Sequence, residues 1–463
     1  MYIFRRALTY LGIILFLGTL FWFSTFFSYE TKFKPEPIRK MATPLIPMEK
    51  FTDFTYQEKL RLMLKDQRLE EWFSIEEDGI SMFNSPWAKT QNKRECKVFF
   101  SERKEFLKLF EEMSPEEVLG VYKKKGLLTF GEMGLEIDTL EPEKETKDGL
   151  LSGWKIALDP GHMGGSQEMA ELEGKFVKIK EPSGDIIKFN EGNLNLVTVL
   201  LLREKLEELG ATVMLTRSEP GITSFGMDYD TWLADSLDLA IKKALATDEI
   251  DKKQARFLRK TDKKNVFHRF FKHYEFMERA RRINAFAPDL TLIVHYNVDE
   301  ENFLHHRDDE GNMTPSKLNY SMAFVPGSFM EGELEKPEAR LAFLRLLLSE
   351  GLKRSVLFSN EVCQRYDAEL GIPSGDERTV RYLGTSCIAA GEPGVYARNL
   401  ALTRLINSPM CYGEGLFQDN RREYLALSQT SLENGDPKPS KRIEEVAETY
   451  FQAILAYAQK VCN

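Results

Sequence analysis

From about residue 150 onward, short apolar runs alternate with amphipathic segments of helix length. Residues 154–158 form an apolar run that Pro160 and Gly161 end, which predicts a buried β-strand. Residues 194–209 carry apolar side chains at helical spacing and are closed by a glycine, and residues 211–216 again have the pattern of a strand. A strand, a helix and a strand in this order predict a βαβ unit with parallel strands and a right-handed crossover.

The same alternation continues to the end of the chain. Further strands are predicted at residues 290–294, 321–325, 395–406 and 409–412. Further helices are predicted at residues 278–286, 339–363 and 443–458. Alternating strands and helices predict an α/β domain over residues 150–463, with a mostly parallel twisted sheet and helices on both of its faces.

Three longer segments interrupt this alternation. Residues 166–190 contain a Pro-Ser-Gly-Asp turn at 182–185, which predicts a hairpin between the first strand and the first helix. Residues 218–274 are helical in tendency, residues 299–382 are long, and both are expected to be insertions in the domain. Either insertion is a candidate for a gate over the functional site, and a solvated helical excursion is the alternative for residues 218–274.

The chain before residue 150 has a different pattern. Residues 7–27 carry no charge and follow two arginines, which predicts a transmembrane signal-anchor within residues 1–30 and a domain outside the cytosol. A cleaved signal peptide and a buried core helix are the alternatives. Residues 31–50 contain four prolines and are expected to be a linker. Residues 51–148 have apolar positions at helical spacing, which predicts a small helical region.

Composition narrows the classes of function. The 463 residues carry a formal net charge of -9, so we do not expect the basic surface of a nucleic-acid-binding protein. The five cysteines form no CxxC pair and show no metal-ligand spacing. We therefore expect small buried thiols with at most one or two bridges, and no disulfide framework.

Three residues with metal-ligand chemistry stand next to predicted elements. His162 follows the first strand, Glu191 stands just before the first helix, and His295 ends a later strand. In a parallel sheet such positions meet along the carboxyl edge. Two histidines and a glutamate are a zinc ligand set that leaves one position for water, whose pKa zinc lowers to about 7. Glu414, after the strand 409–412, is the candidate for proton transfer.

Each of these residues also has an ordinary structural explanation. A histidine at a strand end can be a hydrogen-bonded structural residue, and Glu191 can stabilise a helix N-terminus through the helix dipole. Glu414 lies between two glycines and can be a surface carboxylate in a turn. The remaining histidines lie in charged or polar segments and are expected to be exposed and non-ligating: His268, His273, His305 and His306.

Five motifs occur in an order that resembles one enzyme family. They are KIALDPGHMGG at 155–165, EGNLNL at 191–196, VMLTR at 213–217, RARRINAFAPDLTLIVHYN at 279–297 and PMCYGEGLFQDN at 409–420. With the helix predicted at 443–458, they resemble the zinc-dependent N-acetylmuramoyl-L-alanine amidases of the AmiC type, amidase family 3. The resemblance covers about residues 154–462. It implies that His162, Glu191 and His295 bind zinc and that Glu414 assists catalysis.

The resemblance also implies a substrate and a location. It implies a hydrolase that cuts the amide between N-acetylmuramic acid and the L-alanine of the peptidoglycan stem peptide, in cell-wall remodelling or daughter-cell separation. The predicted N-terminal helix would tether the chain to the cytoplasmic membrane, with the catalytic domain in the periplasm or otherwise extracytoplasmic. If the N-terminal segment is cleaved instead, the protein would be secreted to the periplasm. An activator protein is a possible partner.

The sequence departs from the family pattern near the site. Met163 replaces a usual glycine, Val294 and Tyr296 flank His295 where other or smaller residues are usual, and residues 411–413 replace an aliphatic strand end. Two alternative functions therefore remain open. One is a catalytically degenerate peptidoglycan-binding or division-regulating protein on the same fold, and the other is a different zinc hydrolase, such as a peptidase or a deacetylase.

Overall fold

The structure is a computed structural model that describes residues 54–113, 115–139, 148–247, 249–302, 307–433 and 436–462. The predicted signal-anchor and linker lie outside these residues. Within them, no helix combines the length and the apolar character needed to span a bilayer.

The described part of residues 54–139 contains helices, as predicted, and also three short strands that were not predicted. Its three antiparallel strands are β1 (Phe73–Ile75), β2 (Gly79–Met82) and β3 (Cys96–Phe99). Its helices are α1 (Tyr56–Met63), α2 (Pro86–Thr90), α3 (Arg103–Glu112) and α4 (Pro115–Lys125). The strands were missed because runs of three or four residues are too short to show an alternating pattern beside amphipathic helices.

The rest of the described chain forms an α/β domain. Its strands are β4 (Lys155–Pro160), β5 (Phe176–Lys180), β6 (Ile186–Asn190), β7 (Thr212–Leu215), β8 (Leu290–Asn297), β9 (Met322–Pro326), β10 (Cys387–Ala389), β11 (Val395–Arg398), β12 (Met410–Phe417), β13 (Ser431–Glu433) and β14 (Asp436–Lys438). Its first helices are α5 (Gln167–Glu173), α6 (Glu191–Glu208), α7 (Tyr229–Asp235), α8 (Leu237–Ala246), α9 (Lys252–Leu258), α10 (Lys263–Val266) and α11 (Lys272–Phe286). The later helices are α12 (Pro337–Leu348), α13 (Leu352–Leu370), α14 (Arg381–Ser386), α15 (Ala401–Leu405), α16 (Arg421–Leu427) and α17 (Lys441–Cys462).

Seven of these strands form one mixed sheet in the order β10-β11-β9-β12-β8-β4-β7. Strands β7, β4, β8 and β12 are parallel to one another, whereas β9 is antiparallel to β12. Strand β11 is parallel to β9, and β10 is antiparallel to β11. The predicted mostly parallel sheet is confirmed, and so is the predicted hairpin, which is the antiparallel pair β5–β6.

Helices cover both faces of this sheet, as predicted. Helices α6, α13 and α17 pack with the sheet into the largest apolar core. On the other face, α11 and α15 pack against side chains of β4, β8 and β12. Burial on both faces explains why β8 reads as a continuous apolar run, and all eight of its residues are buried.

Two predicted elements differ from the structure. The helix predicted at 339–363 is two helices, α12 and α13, because Gly351 between them has a φ of 139°, a left-handed backbone conformation that favours glycine. The strand predicted at 395–406 is the strand β11 followed by the helix α15. Apolar periodicity alone does not separate a short buried strand from a buried helical turn.

The N-terminal region and the insertion 299–382 share one core. Apolar side chains of α12 pack with those of β1, β2 and β3, and the rings of Phe73 and Phe343 have centroids 4.9 Å apart. The buried ammonium of Lys59 donates to the carbonyl oxygens of Leu347 and Ser349, at the C-terminal end of α12. The region therefore packs on the α/β domain through a helix that the domain supplies.

Candidate metal centre

His162 lies in a tight loop that follows β4. Its φ is 61°, a left-handed conformation that is unusual for a residue with a side chain, so neighbouring groups have to hold the loop in place. Arg279 donates to the carbonyl oxygens of Pro160, at 3.2 Å, and of His162, at 3.3 Å. Arg217 and Asn195 donate to the carbonyl oxygen of Gly161, at 3.1 Å and 2.9 Å. Three successive carbonyls of the loop are therefore fixed by side chains from other elements.

The other two predicted ligands come from α6 and β8. Glu191 is the first residue of α6 rather than the residue before it, and Asn190 caps the helix by accepting from the amide of Asn193. His295 lies inside β8 and not at its end, because the strand continues to Asn297. Both side chains are almost fully buried.

The three side chains converge on one point. Glu191 Oε1 lies 3.0 Å from His295 Nδ1 and 3.2 Å from His162 Nε2, and the two imidazole rings have centroids 4.7 Å apart. One ligand atom from each residue lies within 4.8 Å of the others. His162 Nε2 is buried and makes no hydrogen bond within the described part of the chain. A donor atom without a partner, beside a nitrogen and an oxygen, fits a metal ion.

The environment of the site favours His295 and Glu191 in their metal-binding forms. Burial lowers the pKa of His295 to about 4, so its imidazole is neutral near pH 7. Burial by itself would raise the pKa of Glu191, but His162 and Lys175 outweigh burial and hold that pKa well below its usual range. Neutral imidazoles and an ionised carboxylate are the forms that bind zinc.

The ring of His295 is closely packed on its remaining sides. It stacks on Tyr412 with a centroid distance of 4.5 Å and an interplanar angle of 9°. A Cβ atom placed on Gly161 would lie 2.1 Å from His295 Cε1, so only glycine leaves room for the ring at that position. Glycine in the Asp-Pro-Gly-His stretch is therefore required by the imidazole of another strand.

Glu414 lies inside β12 and not in a turn after a strand. Its Cα pairs with that of His295 on one side and with that of Met322 on the other. Burial, and then the charge of Glu191, raise the pKa of Glu414 to about 8, and its Oε2 atom has no hydrogen-bond partner within the described residues. The flanking glycines, which suggested a turn, are instead required by Tyr450 and Tyr366, whose hydroxyl groups a Cβ atom would meet at 2.4 Å and 2.1 Å.

Glu173, which the sequence analysis did not single out, contacts a predicted ligand. Its Oε1 atom lies 2.8 Å from His162 Nδ1, and its Oε2 atom accepts from the amide of Met163 at 3.2 Å. Burial would raise the pKa of this carboxyl, but His162 lowers it to about 2. A carboxylate on the outer nitrogen of a metal-binding histidine is common. The sequence signal was weak, a glutamate before the glycine that ends a short helix.

The remaining histidines and the cysteines do not join the site. His268 is exposed, as predicted, and its Nε2 atom lies 2.9 Å from the carbonyl oxygen of Leu172. His273 is exposed, as predicted, and residues 305 and 306 lie outside the described residues. The five cysteines are unpaired, and four of them are buried, in agreement with the expectation of small buried side chains.

Among the comparisons with known proteins, only the search of solved structures found similar proteins. No protein-family model and no curated protein matches the chain. The CwlD amidase of Clostridioides difficile, solved with the GerS lipoprotein, is 15% identical and aligns over 66% of this chain and 99% of its own, with a TM-score of 0.34. The N-acetylmuramyl-L-alanine amidase of Mycobacterium smegmatis is 15% identical over 66% of this chain and 98% of its own, with a TM-score of 0.35.

A third similar structure is an N-acetylmuramoyl-L-alanine amidase of Nostoc punctiforme. It is 13% identical over 66% of this chain and 97% of its own, with a TM-score of 0.31. All three of these solved structures are named as amidases. They carry the name of the family whose motifs the sequence resembles. At this identity and these TM-scores the similarity says nothing about activity, which has to follow from the residues of this chain.

Proposed function

We propose that the chain is a zinc-dependent N-acetylmuramoyl-L-alanine amidase that cuts the amide between N-acetylmuramic acid and the L-alanine of the peptidoglycan stem peptide. The observation that carries this proposal is the convergence of His162, Glu191 and His295 beside the buried carboxyl of Glu414. Two imidazoles and one carboxylate suit a catalytic zinc, because they leave a position for water and substrate. The five ordered motifs supply the choice of substrate.

The proposed mechanism assigns separate tasks to these groups. A zinc ion bound there would supply a Lewis acid that polarises the scissile carbonyl and lowers the pKa of an attacking water. Glu414 takes the proton of that water on its unpartnered Oε2 atom and delivers it to the leaving amine. Its raised pKa, about 8, suits both steps, because the carboxyl can hold and release a proton near neutral pH.

The decisive experiment combines zinc analysis with product analysis. The purified protein is expected to bind one zinc ion and to release from sacculi intact stem peptides that begin with L-alanine. Glu414→Gln is expected to keep its zinc and to release stem peptides at least about 10²-fold more slowly, the usual contribution of a general base. Release by Glu414→Gln at the rate of the parent would show that another group moves the proton.

The same experiment separates the alternatives. Zinc binding without release of any product, even with a candidate activator protein, would favour a degenerate peptidoglycan-binding or division-regulating protein. Shortened peptides would indicate a peptidase, and released acetate would indicate a deacetylase. The four polar residues of the site are all present, and Glu191, His295 and Glu414 are buried, which supports the amidase.

We further propose that the protein acts outside the cytosol, on the peptidoglycan that faces the cytoplasmic membrane. The support is the uncharged stretch 7–27 behind two arginines, which has the length of a single membrane span. Fractionation of cells that express the full chain, with protease added outside the membrane, tests this. Protection of the α/β domain in spheroplasts would contradict the proposal.

A further inference from the structure

The insertion 166–190 contacts two of the three proposed ligands. Helix α5 begins after Ser166, whose side chain accepts from the amide of Met169, and it ends at Gly174 in a left-handed conformation. Glu173 is the last residue of this helix, and the hairpin β5–β6 then leads directly to Glu191. The segment thus connects the first ligand to the second and contacts both on the way.

Glu173 holds the outer nitrogen of His162. The separation of 2.8 Å between its Oε1 atom and His162 Nδ1 is that of a charge-assisted hydrogen bond. An ionised carboxylate can only accept, so in the neutral imidazole the proton lies on Nδ1 and the lone pair on Nε2. That Nε2 atom is the buried, unpartnered nitrogen that lies 3.2 Å from Glu191 Oε1.

Lys175, two residues further on, interacts with the other ligand. Its ammonium nitrogen lies 3.6 Å from Glu191 Oε2, and its carbonyl oxygen accepts from the amide of Glu191 at 3.2 Å. The ammonium thus lies on one oxygen of the carboxylate, and both imidazoles lie on the other. Glu191 therefore presents a single oxygen, Oε1, to the point where the three side chains meet.

We propose that Glu173 is a positioning residue for metal binding, which fixes His162 as a ligand through Nε2, while Lys175 leaves only Oε1 of Glu191 for the metal. This inference rests on the proposed function, since it concerns the same zinc. It assigns a task to an insertion that the family motifs do not include.

The helix that carries Glu173 is itself supported by the excursion 218–274. Leu172 and Met163 pack in one apolar core with α7 and with the aromatic turn at Phe267–Phe271. His268 Nε2 lies 2.9 Å from the carbonyl oxygen of Leu172. The excursion therefore packs against both the loop that carries His162 and the helix that carries Glu173. Met163 is the residue of the loop that makes this apolar contact with the excursion.

Zinc affinity is the direct test, measured by competition with a chromophoric chelator on the full protein. Glu173→Ala is expected to raise the zinc dissociation constant by about 10–100-fold, the usual cost of losing such a carboxylate. Glu173→Gln keeps an acceptor oxygen without the charge and is expected to fall between Glu173→Ala and the parent. Glu171→Gln is the matched control, since Glu171 lies on the same helix with its side chain half exposed and pairs with Lys188 at the surface. It is expected to bind zinc as the parent does.

A second measurement shows directly which ring nitrogen of His162 carries the proton. The chain has six histidines, so a spectrum of protein labelled with ¹⁵N-histidine is simple, and the signal of residue 162 is identified by its loss in His162→Asn. The metal-free parent is expected to carry its proton on Nδ1, and Glu173→Ala is expected to lose this preference while its fold and melting temperature stay close to those of Glu171→Gln.

The outcomes separate the two proposals. A parent that binds no zinc would overturn the proposed function. A parent that binds zinc, with Glu173→Ala binding it equally well and keeping the Nδ1 proton, would overturn the positioning by Glu173 alone. If Glu173→Ala does not fold, Glu173→Gln becomes the test. Unchanged zinc affinity and an unchanged proton position on His162 in that variant would also overturn the positioning by Glu173.

Discussion

A single methyl group added at Gly161 is expected to disable the metal centre from a residue that binds no metal. The Cβ atom of Gly161→Ala would lie 2.1 Å from His295 Cε1, 2.3 Å from Nε2 and 2.6 Å from Nδ1. Gly161 does not have a left-handed φ, so alanine is compatible with its backbone, and the three nearest atoms that its Cβ would meet all belong to the imidazole. Alanine at this position therefore tests packing against one ligand.

The size of the effect follows from the distance that the ring must move. Carbon atoms in contact prefer about 3.5–4.0 Å, so the ring has to retreat by roughly 1.5 Å. It cannot do so freely, because it stacks on Tyr412 and its Nδ1 atom lies 3.0 Å from Glu191 Oε1. Overpacking of this kind costs about 1–3 kcal/mol of stability. A displacement of about 1 Å at a catalytic group costs about 10²-fold in rate.

Gly161→Ala is therefore expected to lose at least about 10²-fold in kcat/KM for stem-peptide release and to bind zinc more weakly. The assays are muropeptide release and chelator competition, with the free energy of unfolding measured in urea. Gly120→Ala is the control, since a Cβ atom there meets no heavy atom within 4 Å. Wild-type zinc affinity and release in Gly161→Ala would refute the packing argument.

Three further predictions concern stability. The pKa of Glu414 is raised to about 8 from an ordinary 4.5. The contribution of its protonated carboxyl to the free energy of unfolding is therefore complete below pH 4.5 and is lost as pH rises through 8. Metal-free Glu414→Gln should therefore gain free energy of unfolding over the parent across that interval in urea titrations, and a gain independent of pH would contradict this. Gly351→Ala should lose about 1–3 kcal/mol in thermal unfolding because its φ is 139°, and an unchanged Tm would count against the strain. Arg340→Ala removes two hydrogen bonds to the carboxylate of Glu95, at 2.7 Å and 2.8 Å, and should cost about 1.5–3 kcal/mol of stability. Thermal unfolding should still show one transition. Two separate transitions would show that the N-terminal region and the α/β domain do not unfold cooperatively.

The sequence predicts best those site residues that lie next to or within apolar strands. His162 and His295 are next to or within apolar runs, and parallel pairing of β4 with β8 brings those runs together without any knowledge of side-chain contacts. The role of Glu414 in proton transfer stays a prediction, whereas its predicted place after a strand is wrong, because it lies inside β12. The glycines beside it suggested a turn, whereas they exist because two tyrosine hydroxyls press against the strand.

What the sequence could not predict depends on contacts between distant segments. Nothing in the pattern of α5 distinguishes Glu173 from Glu171, yet one is buried against a histidine and the other pairs with a surface lysine. The N-terminal strands are too short to show an alternating pattern, and the helix α12 that completes their core lies far from them in the sequence. Met163 was expected to mark a departure from relatives, and the structure explains it as the contact with the excursion.

The loop between β4 and α5 is held by groups that are present before any metal arrives. Arg279, Arg217 and Asn195 fix its three carbonyls, so its ordering is complete once the chain has folded. In a zinc finger, by contrast, the ion itself supplies the free energy of folding. We therefore expect the chain to fold without an ion, and to bind or release one at this site without unfolding.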